Sequence, residues 1–519
     1  MSNSRVVRIA LWVVLALSSI ASVLVIGFAT DTSIFSLDAW SSTWNDEQRY
    51  YRTVQQMREI GAPCGVAGYN EVPALRPSYG PYSFFVYLPY YLGSFVTGYT
   101  SHNFIYLINM AFGVIACLLI ILVLRPDVRQ SLLCIVLFFL HFIILRYISS
   151  GMTEASYVLF ASVFACCSIY VAQKIKQVAK PGMLTIALVI AMVAVGFWGL
   201  MRPYILAFMI VPWALLAFGD MPFTRLRRGI LFAFGVLVAV VTIFVYMYLS
   251  KYYSTPYFYS PTIANDFFDR IARSIPGLVG KHVECVLYSA AKLLKLKWQG
   301  IMTFTFAGCW IVLLVLGVKA LKAGDRASGA LLLGLVLAGL AIFEAHLLMY
   351  NYRQMHRTML ATDVVYLIAL IWYGSKGLKG SHFTSRAVLV GLSCLLCVVC
   401  LALKPGDFAF PQVKSEHSAE QEAALQVELA QLMPQSEDEW GNTIAHPVEN
   451  RSIYIYFNVP IYMSLNSFQM NKLEEAVEKG TLKSKYLSMP DDYEINDDLR
   501  KRYKVIYEGN RHIIYLVHE

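Results

Sequence analysis

Apolar runs of about 17–25 residues recur along most of this chain, and a run of that length can cross the hydrocarbon core of a bilayer as a helix. They constrain the fold more than any other feature of the sequence. The composition agrees with them, because 57% of the 519 residues are hydrophobic and only 15% are charged. The sequence therefore predicts an all-α polytopic membrane protein.

Clusters of Lys and Arg between the apolar runs predict the topology, since such clusters mark the cytoplasmic side of a membrane protein. Consecutive clusters must be separated by an even number of crossings. The aromatic stretch 82–96 is therefore interpreted as an interfacial helix on the outer leaflet, and Pro89 and Gly93 interrupt it. The net charge of +9 comes from Lys and Arg that lie mainly in short connections between spans. It therefore indicates the orientation of the spans and does not indicate nucleic-acid binding. The clusters are Arg5/Arg8, Arg125/Arg129, Lys174/Lys176/Lys180, Arg225/Arg227/Arg228, Lys319/Lys322/Arg326 and Lys376/Lys379/Arg386.

This alternation predicts about eleven transmembrane helices with a cytoplasmic N-terminus. Residues 9–28 have an apolar core about twice as long as that of a signal peptide, so they are expected to be an uncleaved first span. Two long outer loops follow, 30–102 and 250–300, and the second contains a basic amphipathic stretch from Lys281 to Trp298 that suits a membrane interface. The predicted spans are 9–29, 103–124, 131–147, 153–172, 183–201, 204–219, 230–249, 301–318, 328–349, 358–374 and 387–403.

The composition changes after Lys404-Pro405, which divides the chain into a transmembrane domain, 1–403, and a small extracytoplasmic α/β domain, 404–519. The second domain has no metal-ligand spacing and no phosphate loop, so its expected role is structural or acceptor-binding. Of the ten Cys, only Cys64 and Cys285 fall in predicted outer loops, and the sequence leaves open whether they pair. The expected helices are 416–432 and 470–479, and the expected strands are 452–458, 484–488, 504–508 and 512–517.

The first outer loop contains an acidic pair, Asp46-Glu47, at the start of a predicted helix. Tyr50, Val54 and Met57 form an apolar stripe along it, which predicts a helix lying on a membrane surface. Acidic residues suit the first turn of any helix, and Asn45 can cap this one, so the pair alone does not establish a site.

Ionisable residues within the spans lie mostly toward the same predicted side as Asp46 and Glu47. Charge inside a membrane is costly and marks function. Structural explanations also exist, because Arg146 can pair with Glu154 and long basic side chains can snorkel to headgroups. Mid-span His141 is expected to be a core residue. The residues on the shared side are Arg146, Glu154, Arg202, Glu344, His346, Arg353, His356, Arg357 and Asp363.

Several short motifs resemble the GT-C membrane glycosyltransferases, above all the protein O-mannosyltransferase and aminoarabinose-transferase group. They are Asp46-Glu47 followed by Tyr50 and Gly61, then Tyr79-Gly80-Pro81-Tyr82, Arg202-Pro203 and the Arg353–Arg357 cluster. The resemblance covers roughly residues 1–403, and short motifs of this kind carry limited specificity. Members of the family often have Pro-Pro where this chain has Gly80-Pro81.

The resemblance implies transfer of a sugar from a polyprenyl-phosphate donor to a hydroxyl of a glycan, lipid or protein, at the outer face of the membrane. A bacterial cell membrane is expected, because the sequence shows no endoplasmic-reticulum retention signal. Asp46 is then the expected base or acceptor-orienting carboxylate, with Glu47 as a supporting or metal-binding catalytic neighbour. Arginines would stabilise the departing phosphate. A divalent cation, Mg or Mn, is compatible with Asp46 or Glu47 but is not required. The expected substrate-binding residues are Arg49, Tyr50, Arg146, Glu154, Arg202, Glu344, His346, Arg353, His356 and Arg357.

Two other classes of protein remain open at this point. An O-antigen-type polymerase or ligase also uses lipid-linked sugars, but its key Arg and His residues are expected in a large late loop. A flippase or other transporter of lipid-linked sugars, which is not an enzyme, would predict duplicated halves or paired broken helices near the midplane. The sequence has neither feature, so the acid pair after the first span favours the transferase.

Overall fold

The computed structural model describes most of the transmembrane region and of the C-terminal part. The described residues are 3–29, 40–42, 45–61, 67–69, 84–99, 104–175, 181–253, 267–295, 297–349, 355–376, 412–414, 419–438, 440–447, 459–509 and 512–519. The predicted boundary at 403/404 lies outside them, as does the predicted strand 452–458.

Helices dominate the chain as far as Lys376 and pack into one bundle with a continuous apolar core. They are α1 (Asn3–Ala29), α2 (Asn45–Ile60), α3 (Leu88–Thr97), α4 (Phe104–Leu119), α5 (Val128–Leu140), α6 (Phe142–Ile148), α7 (Ser156–Lys174), α8 (Pro181–Met201), α9 (Ile210–Phe218), α10 (Arg225–Tyr253), α11 (Phe267–Leu294), α12 (Trp298–Lys322), α13 (Arg326–Met349), α14 (Met355–Thr358) and α15 (Leu360–Lys376).

Among the described residues, seven helices are long and apolar enough to cross a membrane. They coincide with seven of the predicted spans, and three more predicted spans fall on the shorter apolar helices 128–139, 203–218 and 360–374. The predicted interfacial stretch 82–96 contains a 3₁₀ turn, Phe84–Val86, followed by α3. The last predicted span, 387–403, lies outside the described residues. The predicted helical membrane protein with a small C-terminal α/β part is thus confirmed.

The backbone leaves the helical conformation at two places, one within a predicted span and one between two spans. His141 is extended between α5 and α6, so the predicted third span is broken there; its side chain is buried, as expected of a core residue. Arg202 is extended, with φ −144° and ψ 106°, because the residue before a proline avoids helical dihedrals. Pro203 then opens a 3₁₀ helix, Pro203–Met209.

Two of the basic residues that were used to predict topology, Arg227 and Arg326, make contacts at the starts of helices. Arg227, at the start of α10, donates to Thr185 Oγ1 at the start of α8, 2.7 Å away, and Arg326 at the start of α13 pairs with Asp220. Glu154, before α7, and Arg202, after α8, lie at the opposite end of their helices. Arg227, beside the start of α8, is thus separated from Arg202 by the length of that helix.

A six-stranded mixed sheet forms the core of the C-terminal part. Its order is β2 (Ala67–Tyr69), β5 (Ser464–Phe468), β4 (Thr443–Pro447), β6 (Tyr486–Pro490), β8 (His512–Leu516) and β7 (Lys504–Gly509), with the first four parallel. Helix α16 (Ala419–Leu432) covers one face, and α17 (Met470–Lys479) with α18 (Asn496–Arg502) covers the other.

The sheet corrects the sequence prediction in two respects. The strands β4 and β5 were not predicted, because their buried polar residues disguise the apolar pattern. Strand β2 comes from the first loop and pairs with β5, and β1 (Trp40–Ser42) likewise pairs with β3 (Gln412–Lys414). The first loop and the C-terminal part therefore share both sheets.

Helix α2 is enclosed instead of lying on an open membrane surface, which corrects the prediction for it. The apolar stripe of Tyr50, Val54 and Met57 is buried, as its spacing predicted. Arg52 and Gln56, on another side of the helix, are also buried, because they hydrogen-bond to the C-terminal part.

Candidate functional site

Four charged side chains from four separate segments meet at one end of the bundle, and we call them the ionic cluster: Asp46, Glu154, Arg202 and Arg357. Arg357 is at its centre, with Nη1 2.8 Å from Asp46 Oδ2 and Nε 2.8 Å from Glu154 Oε1. Arg202 Nη2 lies 3.4 Å from the same Glu154 oxygen. Tyr50, one turn after Asp46, has its hydroxyl 3.4 Å from Arg357 Nη2. Asp46 and Arg357, more than 300 positions apart in sequence, are thus in contact.

Local structure explains how each member reaches the cluster. Asp46 is in the first turn of α2, where its charge suits the helix dipole. Arg202 occupies the extended position before Pro203, and Glu154 is in a 3₁₀ turn, Thr153–Ala155, that enters α7. Arg357 belongs to α14, the single helical turn that precedes α15.

The side chains of the ionic cluster differ in their exposure to solvent. The Glu154 side chain is 1% exposed, those of Arg202 and Arg357 are 8% and 10%, and that of Asp46 is 34%. Buried ion pairs persist only where geometry and hydrogen bonding offset the loss of hydration. Glu154 therefore serves as the internal counter-ion of both arginines, whereas Asp46 is the more exposed carboxylate of the cluster.

Glu47 has a different environment from its neighbour Asp46. It is buried, and its Oε1 accepts a 2.8 Å hydrogen bond from the backbone N–H of Gly151, while Tyr106 OH lies 3.5 Å from Oε2. A Cβ on Gly151 would lie 3.3 Å from Glu47 Cβ, so only glycine permits this approach without displacement. Glu47 therefore holds the turn that leads to Glu154.

A buried amide in α4 holds the same turn from the other side. Asn109 Nδ2 donates to the carbonyls of Ser150 and Met152 at 2.6 and 3.0 Å, and its Oδ1 accepts from Tyr90 OH at 2.7 Å. Sequence reasoning missed this residue. The available signal was one amide inside an otherwise apolar span, where a polar side chain needs partners.

Asn109→Leu is expected to destabilise the protein, because it leaves two buried carbonyls and the Tyr90 hydroxyl without their partner. Each unsatisfied buried group costs about 1–3 kcal/mol. Thermal unfolding in detergent should show the loss beside Asn471→Leu, a matched change at an exposed position of α17. Equal melting temperatures for the two variants would contradict this role of Asn109.

The other predicted site residues are dispersed, and only some of them lie near the ionic cluster. His346 Nδ1 lies 2.7 Å from Thr358 Oγ1, next to Arg357, so it supports the turn that carries that arginine. Glu344 instead faces α11, where its Oε1 lies 3.0 Å from His282 Nε2. Arg146 is half-buried on α6, just before the turn held by Glu47 and Asn109. The side chains of Arg49 and His356, and all of Arg353, lie outside the described part of the structure.

His282 connects α11 to Glu344 of α13, and its pKa is raised. Burial lowers its pKa, but hydrogen bonds to the Leu278 carbonyl and to Glu344 outweigh that effect and leave the pKa raised. Both ring nitrogens face oxygen acceptors, so the protonated form is favoured. Cys285, on the same helix, is a buried free thiol, and Cys64 lies outside the described residues.

The acid pair does not present a cation site in the part of the chain that the structure describes. Asp46 is engaged by Arg357, and Glu47 accepts from the Gly151 N–H. Within the described ranges, no group of three or more His, Cys, Asp or Glu side chains could hold a metal ion.

Comparisons with known proteins point to one fold. No protein-family model and no curated protein sequence matches the chain. The solved structures similar to it include the Archaeoglobus fulgidus oligosaccharyltransferase complexed with Zn and sulfate (16% identity, TM-score 0.54, 92% of this chain and 68% of that one).

Two further solved structures contain a lipid phosphate. One is ArnT from Cupriavidus metallidurans bound to undecaprenyl phosphate (14% identity, TM-score 0.53, 98% of each chain). The other is the A. fulgidus oligosaccharyltransferase AglB with an inhibitory peptide and a dolichol-phosphate (14% identity, TM-score 0.52, 93% of this chain and 69% of that one). All of these neighbours are GT-C membrane glycosyltransferases, and this chain has their fold, as its sequence motifs predicted.

Proposed function

We propose that the protein is a membrane glycosyltransferase that moves a sugar from a polyprenyl-phosphate donor to a hydroxyl acceptor. The observation that carries the proposal is the ionic cluster, in which a partly exposed carboxylate lies 2.8 Å from a guanidinium within a GT-C fold. A base for the acceptor and a cation for the leaving group are the two components that such a transfer needs.

The reaction assigns a separate role to each side chain. The acceptor hydroxyl attacks the anomeric carbon of the sugar while Asp46 accepts the hydroxyl proton. The bond between that carbon and the phosphate oxygen breaks, and the polyprenyl phosphate leaves with the bonding electrons. Arg357 stabilises the charge that develops on the phosphate, because its planar guanidinium can offer two parallel donors to phosphate oxygens.

The contact between Asp46 and Arg357 suggests how donor and acceptor are coupled. A phosphate that binds Arg357 competes with Asp46 for the Nη1 donor, while Glu154 retains the Nε side of the same guanidinium. Donor binding thereby releases the Asp46 carboxylate to accept a proton from the acceptor. The base becomes available only when a sugar donor is present, which limits side reactions.

The lipid part of the donor is proposed from the neighbours that contain one. ArnT was solved with undecaprenyl phosphate and AglB with a dolichol-phosphate. Several apolar helices of this chain are long enough to face lipid tails, so a polyprenyl chain can remain in the bilayer while its phosphate reaches the cluster.

We further propose a bacterial cell membrane as the location, with the ionic cluster on the non-cytoplasmic side. The clustering of Lys and Arg at the other end of the bundle supports this orientation. Residues 1–403 would then be the transmembrane catalytic domain and 404–519 an extracytoplasmic domain.

Cysteine labelling of intact cells should test that orientation. With a membrane-impermeant maleimide in a background without other reactive cysteines, Cys at the exposed positions Glu478 and Lys501 should be modified. Cys at Arg225 and Lys322 should react only after the membrane is opened. The reverse pattern would place the cluster on the cytoplasmic side and contradict the proposal.

Arg357→Lys should weaken binding of undecaprenyl phosphate, because an ammonium cannot reproduce the two-donor fork of the guanidinium. We expect about a tenfold rise in Kd, corresponding to about 1.4 kcal/mol, measured by native mass spectrometry of protein in detergent. Arg227→Lys at the opposite end of the bundle is the matched control and should bind as the wild type does. Unchanged binding by Arg357→Lys would remove Arg357 from the donor site.

A further inference from the structure

Helix α2 contacts more than the ionic cluster. Asp46 and Tyr50 project from one side of it, and Arg52 and Gln56, spaced i and i+4, project from another. Arg52 and Gln56 are 3% and 1% exposed, although both are polar residues in a membrane protein. What they bind is a turn of the C-terminal part, residues 459–463.

The Arg52 guanidinium donates to three backbone carbonyls of that turn. Nη1 lies 3.1 Å from Val459 O, and Nη2 donates to Pro460 O and, at 3.2 Å, to Met463 O. Gln56 Nε2 adds contacts of 3.2 Å to Ile461 O and 3.3 Å to Met463 O. These two side chains together hydrogen-bond to four of the five residues of the turn.

The turn belongs to the packed core of the C-terminal sheet. Val459 and Met463 are fully buried against Leu429 of α16 and Leu465 of β5. Strand β5 begins directly after the turn, and it pairs with β2, the strand that follows α2 in the chain. Helix α2 is thus attached to the sheet both by its side chains and by the segment that follows it.

A regular helix transmits this attachment to Asp46. Arg52 is six residues from Asp46, about 9 Å along the helix axis at 1.5 Å per residue. A displacement of α2 at Arg52 therefore moves Asp46 relative to Arg357, which is carried by a separate segment. A misplacement of about 1 Å in a catalytic group can cost on the order of 10²-fold in rate.

We propose that the C-terminal part positions the catalytic carboxylate, and that Arg52 is the positioning residue through which it does so. The inference rests on the proposed function only for its catalytic consequence, since the attachment of α2 can be measured without any substrate. It assigns residues 404–519 a role in the transfer step, separate from binding of an acceptor.

The test compares Arg52→Ala with Arg500→Ala in the full-length protein. Arg500 belongs to the C-terminal part and pairs with Glu508 at the surface, so its substitution controls for the loss of an arginine that does not hold the turn. Backbone amide hydrogen exchange of α2 reports its attachment, and turnover of a polyprenyl-phosphate sugar reports catalysis. If Arg52→Ala does not fold, Gln56→Met removes two of the contacts at nearly constant volume.

Arg52→Ala should accelerate exchange in α2 at least tenfold and lower kcat about 10- to 100-fold, with KM for the donor little changed. Arg500→Ala should resemble the wild type in all three quantities. Unchanged exchange in α2 would overturn the attachment, whether or not the protein is a transferase. Faster exchange with unchanged kcat would show that the attachment exists but does not position Asp46, which also overturns the proposal.

Discussion

Asp46→Asn is expected to lower sugar transfer by about 10²–10⁴-fold, the usual loss when a general base is removed. Asparagine keeps the shape of the side chain and still suits the first turn of a helix, so α2 should form normally. The substitution removes only the negative charge and the capacity to accept a proton. Transfer activity, expression level and melting temperature should be measured together on the purified protein.

Glu47→Gln is the matched control for this prediction. The glutamine Oε1 can still accept from the Gly151 N–H, so the turn before Glu154 should keep its position. We expect activity closer to wild type than that of Asp46→Asn. If both variants transfer sugar at the wild-type rate, the acid pair serves only as a helix start.

Glu154→Gln is expected to cause the largest loss of stability of any single substitution in the ionic cluster. It removes the counter-ion that two buried arginines share, and breaking a buried ion pair from one side costs about 3–5 kcal/mol. Thermal or denaturant unfolding in detergent should show this loss. Transfer should fall as well, because Arg357 would lose the partner that fixes its orientation.

A double variant shows whether the loss of stability in Glu154→Gln comes from the unbalanced charge or from the changed shape of the side chain. Glu154→Gln combined with Arg202→Gln removes one uncompensated cation and should recover part of the stability, since coupled residues are not additive. Glu508→Gln, which breaks an exposed pair with Arg500, should change unfolding little. If Glu154→Gln unfolds like the wild type, the buried charges are not coupled as the distances indicate.

The membrane helices could be predicted because a bilayer imposes a length and an apolar composition on each span. Membership of the site was also partly predictable. Glu154, Arg202 and Arg357 lie close to the ends of predicted spans, where the cost of charge in a membrane indicated a site. Asp46 was indicated by the acid pair in the first outer loop. Arg202 had a local signal as well, since Pro203 forces it out of the helix.

The roles within the acid pair could not be predicted, because Asp46 and Glu47 are adjacent and chemically alike. Only the fold shows that Glu47 turns toward Gly151 while Asp46 faces Arg357. Asn109 was missed because its partners are known only from the fold: they are backbone carbonyls 41 and 43 residues away.

Contacts between segments distant in sequence could not be predicted either. The strand of Ala67–Tyr69 has only three residues and carries no pattern that would assign it to a sheet nearly 400 positions later. Arg52 lies outside the apolar stripe of its helix, and its guanidinium is buried on backbone carbonyls of the C-terminal part. Contacts with the main chain leave no complementary residue type for sequence reasoning to find.

The most direct measurement is cleavage of a polyprenyl-phosphate sugar by the purified protein in lipid nanodiscs. Undecaprenyl phosphate carrying different sugars would be offered together with a pool of envelope glycans and lipids, and the products followed by mass spectrometry. The wild type should release undecaprenyl phosphate and add the sugar to a hydroxyl of an acceptor, whereas Asp46→Asn should leave the donor intact. A wild-type protein that leaves every offered donor intact would contradict the account, and movement of intact donor across a vesicle membrane by the same protein would identify a transporter.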